Sequence, residues 1–172
     1  SGDTLLEQVN AAMQRFGYTR SVTLETPLTT PMTIDGAIGA GYAAAQFAAF
    51  SGLARFRARH AGRFSAMCVF PHHFDLPMLV FAPGNTAMDE GEAHLNFGFA
   101  PFTEGQYTHP YLYAYAYPYP DGFNFGEPPE GAFWNQRGWR GLVLPYAAIA
   151  SAAEPEWLIE RTALAFYDLL WK

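Results

Sequence analysis

His73, Asp75 and His94 are the residues whose types could perform the most specific chemistry. In an extended segment His73 and Asp75 stand two positions apart and share a face. Two histidines and one carboxylate are the ligand set of non-haem iron(II) oxygenases, so the trio predicts a divalent metal site. Without a metal, the same three residues are candidates for acid–base catalysis beside a pocket. His72 would point away from His73 and cannot chelate the same ion. The plainer reading is that Asp75 accepts backbone N–H bonds at a turn before Pro77. The usual host of that metal triad, a double-stranded β-helix, has more strands than this chain supplies. His94 and Asn96 form a polar pair on the strand face opposite Leu95, Phe97 and Phe99, and His109, just before Pro110, reads as a turn residue.

A second candidate is the run Tyr111-Leu112-Tyr113-Ala114-Tyr115-Ala116-Tyr117. Period-two geometry places Tyr111, Tyr113, Tyr115 and Tyr117 on one face, and Leu112, Ala114 and Ala116 on the other. The small face accepts a helix at close range. The phenol row suits a small apolar or aromatic ligand, or a partner surface; its structural alternative is to cover the open side of a sheet. A third candidate, Phe133–Arg140, carries Trp134, Arg137, Trp139 and Arg140, which invite stacking and anion binding. That loop is expected either to lie over the tyrosine face as a lid or to plug the sheet edge.

Other chemistries find no support. There is no G-x-S-x-G elbow and no phosphate-cradling glycine loop. Cys68 lies between Met67 and Val69 without an activating base, and as the one cysteine it excludes an internal disulfide framework and zinc-finger spacing. Ten basic against sixteen acidic residues leave a net charge of −6, the wrong sign for binding nucleic acid. Arg55, Arg57, Arg59 and Arg63 read as cations near a helix C-terminus, where they meet the negative end of the macrodipole. Asp89, Glu90 and Glu92 read as a solvated loop that lacks calcium-loop spacing. Apart from the metal option, no cofactor is expected.

These side chains need elements to position them. At 172 residues, 50% hydrophobic and 15% charged, the chain is expected to fold as a single domain over 1–172 rather than to remain disordered. Leu5, Val9, Ala12, Met13 and Phe16 recur at helical spacing before Gly17, and Ser21–Thr26 alternates like a short strand. Pro27 and Pro31 bracket a loop, after which Thr33 or Asp35 could cap a helix. Gly36–Ala54 is nineteen residues without a charge, but its alanines and glycines argue for a buried helix rather than a membrane span. Ile38, Tyr42, Ala49, Leu53 and Phe56 would form its core face. Phe64–Phe70, Met78–Ala82, Ala93–Ala100, Tyr111–Tyr117 and Gly141–Tyr146 predict an antiparallel meander of about five strands. Pro155 opens a terminal helix marked by Leu158, Ile159, Ala165, Phe166, Leu169 and Leu170. The expected class is α+β, with the long Ala-rich helix and the C-terminal helix on one face of the sheet.

Phe56-Arg57-Ala58-Arg59, Phe74-Asp75-Leu76, Asn96-Phe97-Gly98-Phe99, Tyr113–Pro118, Gly131–Trp134 and Val143–Tyr146 together resemble a bacterial domain-of-unknown-function family, from about Leu5 onward. The resemblance implies a longer architecture with a β-rich first half, of which this chain is similar to the second half. It implies a bacterial, cytoplasmic protein and carries no activity or catalytic role.

Three functions follow as expectations. The first is a domain binding a small apolar or aromatic ligand on the tyrosine face, with Arg137 and Arg140 supplying charge complementarity. The second is an enzyme using His73, Asp75 and His94, and the third is a homo-oligomerisation module built on exposed aromatics. Nucleic-acid and membrane partners are not expected.

Overall fold

A computed structural model describes residues 2–23, 35–71, 73–84, 87–122 and 126–171. The chain divides into two compact units, Ser1–Gly39 and Ala40–Lys172.

In the first unit, helix α1 spans Gly2–Arg15. Gly17 ends it with a φ of 84°, the left-handed turn that a residue without Cβ adopts freely, and Tyr18 N–H reaches back to the Met13 carbonyl at 3.0 Å. Phe16, the last of the apolar residues at helical spacing, is 79% exposed. Asn10 pins the following segment by accepting from Val22 N–H at 2.6 Å and donating to the Val22 carbonyl at 2.9 Å. Residues 21–23 form no strand; 24–26, Pro27, Pro31 and Thr33 lie outside the described residues. Asp35 caps the next helix, its Oδ1 accepting from the N–H groups of Ala37 and Ile38.

That helix, α2, runs over Gly36–Ala58. The second unit continues with β1 (Arg63–Phe64), β2 (Leu76–Phe81), β3 (His94–Ala100), β4 (Tyr111–Tyr117), β5 (Phe133–Asn135), β6 (Gly141–Pro145), α3 (Tyr146–Ser151) and α4 (Pro155–Trp171). The strands form one antiparallel sheet in the order β1-β2-β3-β4-β6-β5, so the class is α+β with six strands.

Two strands differ from expectation. The first stops at Phe64 rather than running to Phe70. Ser65 N–H still donates to the Leu79 carbonyl, but Leu79 N–H donates to Ser65 Oγ, so a side chain takes over the ladder and the backbone leaves the sheet. Phe133–Asn135, expected in a loop, is an edge strand beside β6. Three residues are too few for a period-two signal.

Alternation divides the sheet. Met78, Val80, Leu95, Phe97, Phe99, Leu112, Ala114, Leu142 and Leu144 face the helices and are buried. Ala45, Ala49, Leu53 and Phe56 of α2 and Leu158, Ile159, Ala163 and Phe166 of α4 join the same core. Ile38 is 72% exposed, and Ala165 and Leu169 also face outward, so the buried stripe of α4 runs through Thr162 and Ala163 instead. At Gly52 the backbone of α2 comes close to α4. A Cβ at Gly52 would fall 2.6 Å from Ile159 Cβ and 2.9 Å from the Glu156 carbonyl oxygen.

Arg55 on α2 and Arg59, just past its end, both hydrogen-bond the carboxylate of Glu160, which is 1% exposed on α4. Burial alone would raise the Glu160 carboxyl, and the two guanidinium hydrogen bonds outweigh it, so the group titrates below its ordinary value. Arg55 also lies 4.1 Å from the centre of the Trp157 ring. Two of the four arginines are therefore committed to a specific interhelical ion pair. No described helix is long and apolar enough to cross a membrane.

Candidate functional site

The sheet face away from the helices carries a cavity of about 630 Å³. Strand register explains which side chains reach it. Asn96 of β3 stands between Leu79 of β2 and Tyr115 of β4, and Gly98 stands between Pro77 and Tyr113. Residues of this face therefore converge across three strands, and the segment that peels off after Phe64 adds Ser65, Ala66, Cys68 and Phe70 to the wall. His73, Asp75, His94 and Tyr117 also line it, with the exposed Glu90.

Asp75 is held by its neighbours. Phe70 N–H donates to the Asp75 carbonyl, closing the returning segment into a tight turn. Phe74 takes a φ of 53°, a left-handed conformation disfavoured by about 1–2 kcal/mol for a residue with a Cβ. Its carbonyl thereby accepts from Tyr42 Oη at 2.6 Å and Gln46 Nε2 at 3.1 Å, both on α2. On the cavity side, Tyr113 donates its phenol hydrogen to Asp75 Oδ2 at 2.9 Å. Asp75 Oδ1 is buried and accepts no hydrogen bond.

Tyr113 reaches Asp75 because its ring lies across Gly98. A Cβ at Gly98 would sit 2.3 Å from both Cζ and Oη of Tyr113. Burial first, then the Asp75 charge and the hydrogen bond to it, push the Tyr113 phenol well above its ordinary value. It therefore stays protonated and remains a donor. Burial likewise raises Tyr42 to about 12, with the charge of Asp75 adding to the shift. Tyr115 Oη accepts from Asn96 Nδ2 at 2.7 Å, while Asn96 Oδ1 is buried without a partner. Tyr113 and Tyr115 stack at 6.0 Å, and Trp139 packs against both. His94 donates from Nδ1 to the Glu92 carbonyl at 2.7 Å and stacks on Tyr117.

The structure combines two expected sites and dissolves part of each. His73, Asp75 and His94 line the same cavity as Tyr113, Tyr115 and Tyr117. They do not form a chelating trio: among the described residues no three His, Cys, Asp or Glu side chains gather to hold a metal ion. His94 pairs with Phe81 at the far end of β2, six positions after Asp75, which is roughly 20 Å of extended chain. The neighbouring His72 lies outside the described residues.

Tyr111 shares the face but not the cavity, and its hydroxyl hydrogen-bonds Thr103 Oγ1 instead. Trp139 packs on Tyr113 and Tyr115 without lining the cavity, whereas Trp134 projects to the opposite side, against Phe166. Period two within β5 requires this, because Phe133 and Asn135 occupy the other face. Arg137 lines a separate cavity of about 380 Å³ with Tyr107, Phe133 and Asn135. Arg140 lies 5.1 Å from the centre of the Tyr119 ring. Neither arginine lines the tyrosine cavity.

Sequence reasoning missed the wall formed by Ser65–Phe70, the place of Glu90 beside the cavity, and the clamp of Tyr42 and Gln46 on Phe74. Only the departure of the chain at Ser65 could have revealed the first, and no local pattern marks it.

A family model described as "Family of unknown function (DUF5996)" matches residues 40–171, beginning where the second compact unit begins. The match thus starts later than the expected position near Leu5. No curated protein and no solved structure matches the chain.

Proposed function

For a chain that belongs to the DUF5996 family, a family of unknown function, we propose that the cavity on the tyrosine face binds a small organic ligand. The observation that carries this reading is the convergence of Asp75, Asn96, Tyr113, Tyr115 and Tyr117 on one space of about 630 Å³. Small-molecule sites occupy roughly 300–1,000 Å³ and combine apolar or aromatic walls with a few placed polar groups. Both features are present here: rings supply area, while Asp75 and Asn96 supply direction. A neighbouring sheet face used only as cover has no need of buried acceptors without donors.

The test is a ligand-observed NMR screen of small aromatic fragments, run beside native mass spectrometry of the purified protein. Fragments that bind the wild type are expected to lose binding in the Tyr113→Ala/Tyr115→Ala double variant, which should still unfold cooperatively. Unchanged fragment binding in that folded variant would sink the reading. A co-purified organic mass would identify the natural ligand class directly.

A further inference from the structure

We propose that the ligand is an organic cation, an ammonium group carried on a flat apolar body, with Asp75 as its counter-ion and Asn96 as a second acceptor. The inference rests on the ligand-binding reading above and sets the charge of the occupant.

The first argument is the distribution of charge. Asp75 and Glu90 both line the cavity, and among the described residues no arginine or lysine does. Arg137 and Arg140, expected to provide positive charge here, stand over a second cavity and over Tyr119. Arg55 and Arg59 are committed to Glu160. A carboxylate or phosphate ligand would face two like charges without a guanidinium to offset them.

The second argument is the direction of the unmet hydrogen bonds. Asp75 Oδ1 and Asn96 Oδ1 are both acceptors, both buried, and both without donors. Asn96 as a whole is 8% exposed. Buried acceptors left unmet are costly and uncommon in native proteins, and an ammonium brings three donors and no acceptor. Tyr113 donates to Oδ2 alone, which holds the carboxylate in place without neutralising it.

The third argument is the wall. Tyr113, Tyr115, Tyr117 and Phe70 surround the space with aromatic rings, whose faces attract cations and cover apolar carbon equally well. His73 and His94 also line it; His94 already donates from Nδ1 to Glu92.

Three probes of one shape separate charge from shape: phenethylammonium, 2-phenylethanol and phenylacetate, each titrated by ligand-observed NMR at about pH 8, above the ordinary imidazole range. The ammonium is expected to bind about tenfold or more tightly than the alcohol, the margin of a charge-assisted hydrogen bond, and the carboxylate most weakly. Asp75→Asn, close to isosteric, should remove that margin while leaving the alcohol within about twofold. Equal affinity of ammonium and alcohol, or preference for phenylacetate, overturns the inference. If those probes still lose binding in the Tyr113→Ala/Tyr115→Ala variant, the cavity reading survives that failure. Absence of binding by all three at millimolar concentration overturns both. The comparison among probes on the wild type stands even if Asp75→Asn fails to fold.

Discussion

Gly98 is where one carbon atom decides the geometry of the site. Its missing Cβ leaves the space through which Tyr113 lies flat and reaches Asp75. Gly98→Ala should therefore displace the Tyr113 ring and destabilise the fold by about 1–3 kcal/mol, the usual range for overpacking. Urea unfolding checks the magnitude, and the same substitution made in a Tyr113→Ala background checks the cause. There the cost should shrink to a few tenths of a kcal/mol, because the two positions couple only through that contact. Undiminished cost would show that Gly98 serves the backbone rather than the tyrosine.

Between elements, the contact with the clearest pH signature is the α2–α4 ion pair. Glu160 titrates below its ordinary value because Arg55 and Arg59 outweigh the effect of burial. A carboxylate depressed in the folded state stabilises the protein above the unfolded-state value, and that contribution disappears as pH falls through the folded-state value. Stability should thus fall as pH drops below about 4.5, and Glu160→Gln should flatten this portion of the profile in thermal unfolding. At neutral pH the same variant should cost roughly 1–3 kcal/mol, since two guanidinium hydrogen bonds lose a charged acceptor. The elements themselves were largely legible in the sequence. The period-two runs of β3 and β4 and the placement of Pro155 at the head of α4 all express local geometry. Glu160 carried no such mark, because its partners lie about a hundred residues away. Asp75 and Tyr113 were each legible as candidates, but their partnership was not. Their meeting depends on the register of three strands and on the turn between Phe70 and Asp75.

For the whole second unit, the buried phenols predict behaviour in alkali. Burial raises Tyr42, Tyr111, Tyr113 and Tyr115, with Asp75 adding to each. In the unfolded chain these groups lose their protons near pH 10, so above that the unfolded state binds fewer protons than the folded one. Stability should fall as pH rises beyond about 10, and the delayed part of the tyrosinate absorbance should appear together with unfolding. An absorbance titration completed around pH 10 with the fold intact would contradict this. The alternation along β3 and β4 carries a different consequence, one for how such a protein changes over generations. His94, Asn96, Tyr115 and Tyr117 define what the cavity meets, while Leu95, Phe97, Leu112 and Ala114 hold the helices from the reverse side. Substitutions on the cavity side need not disturb the packing that keeps the protein folded, so the two sides of this sheet can drift separately, one side chain at a time.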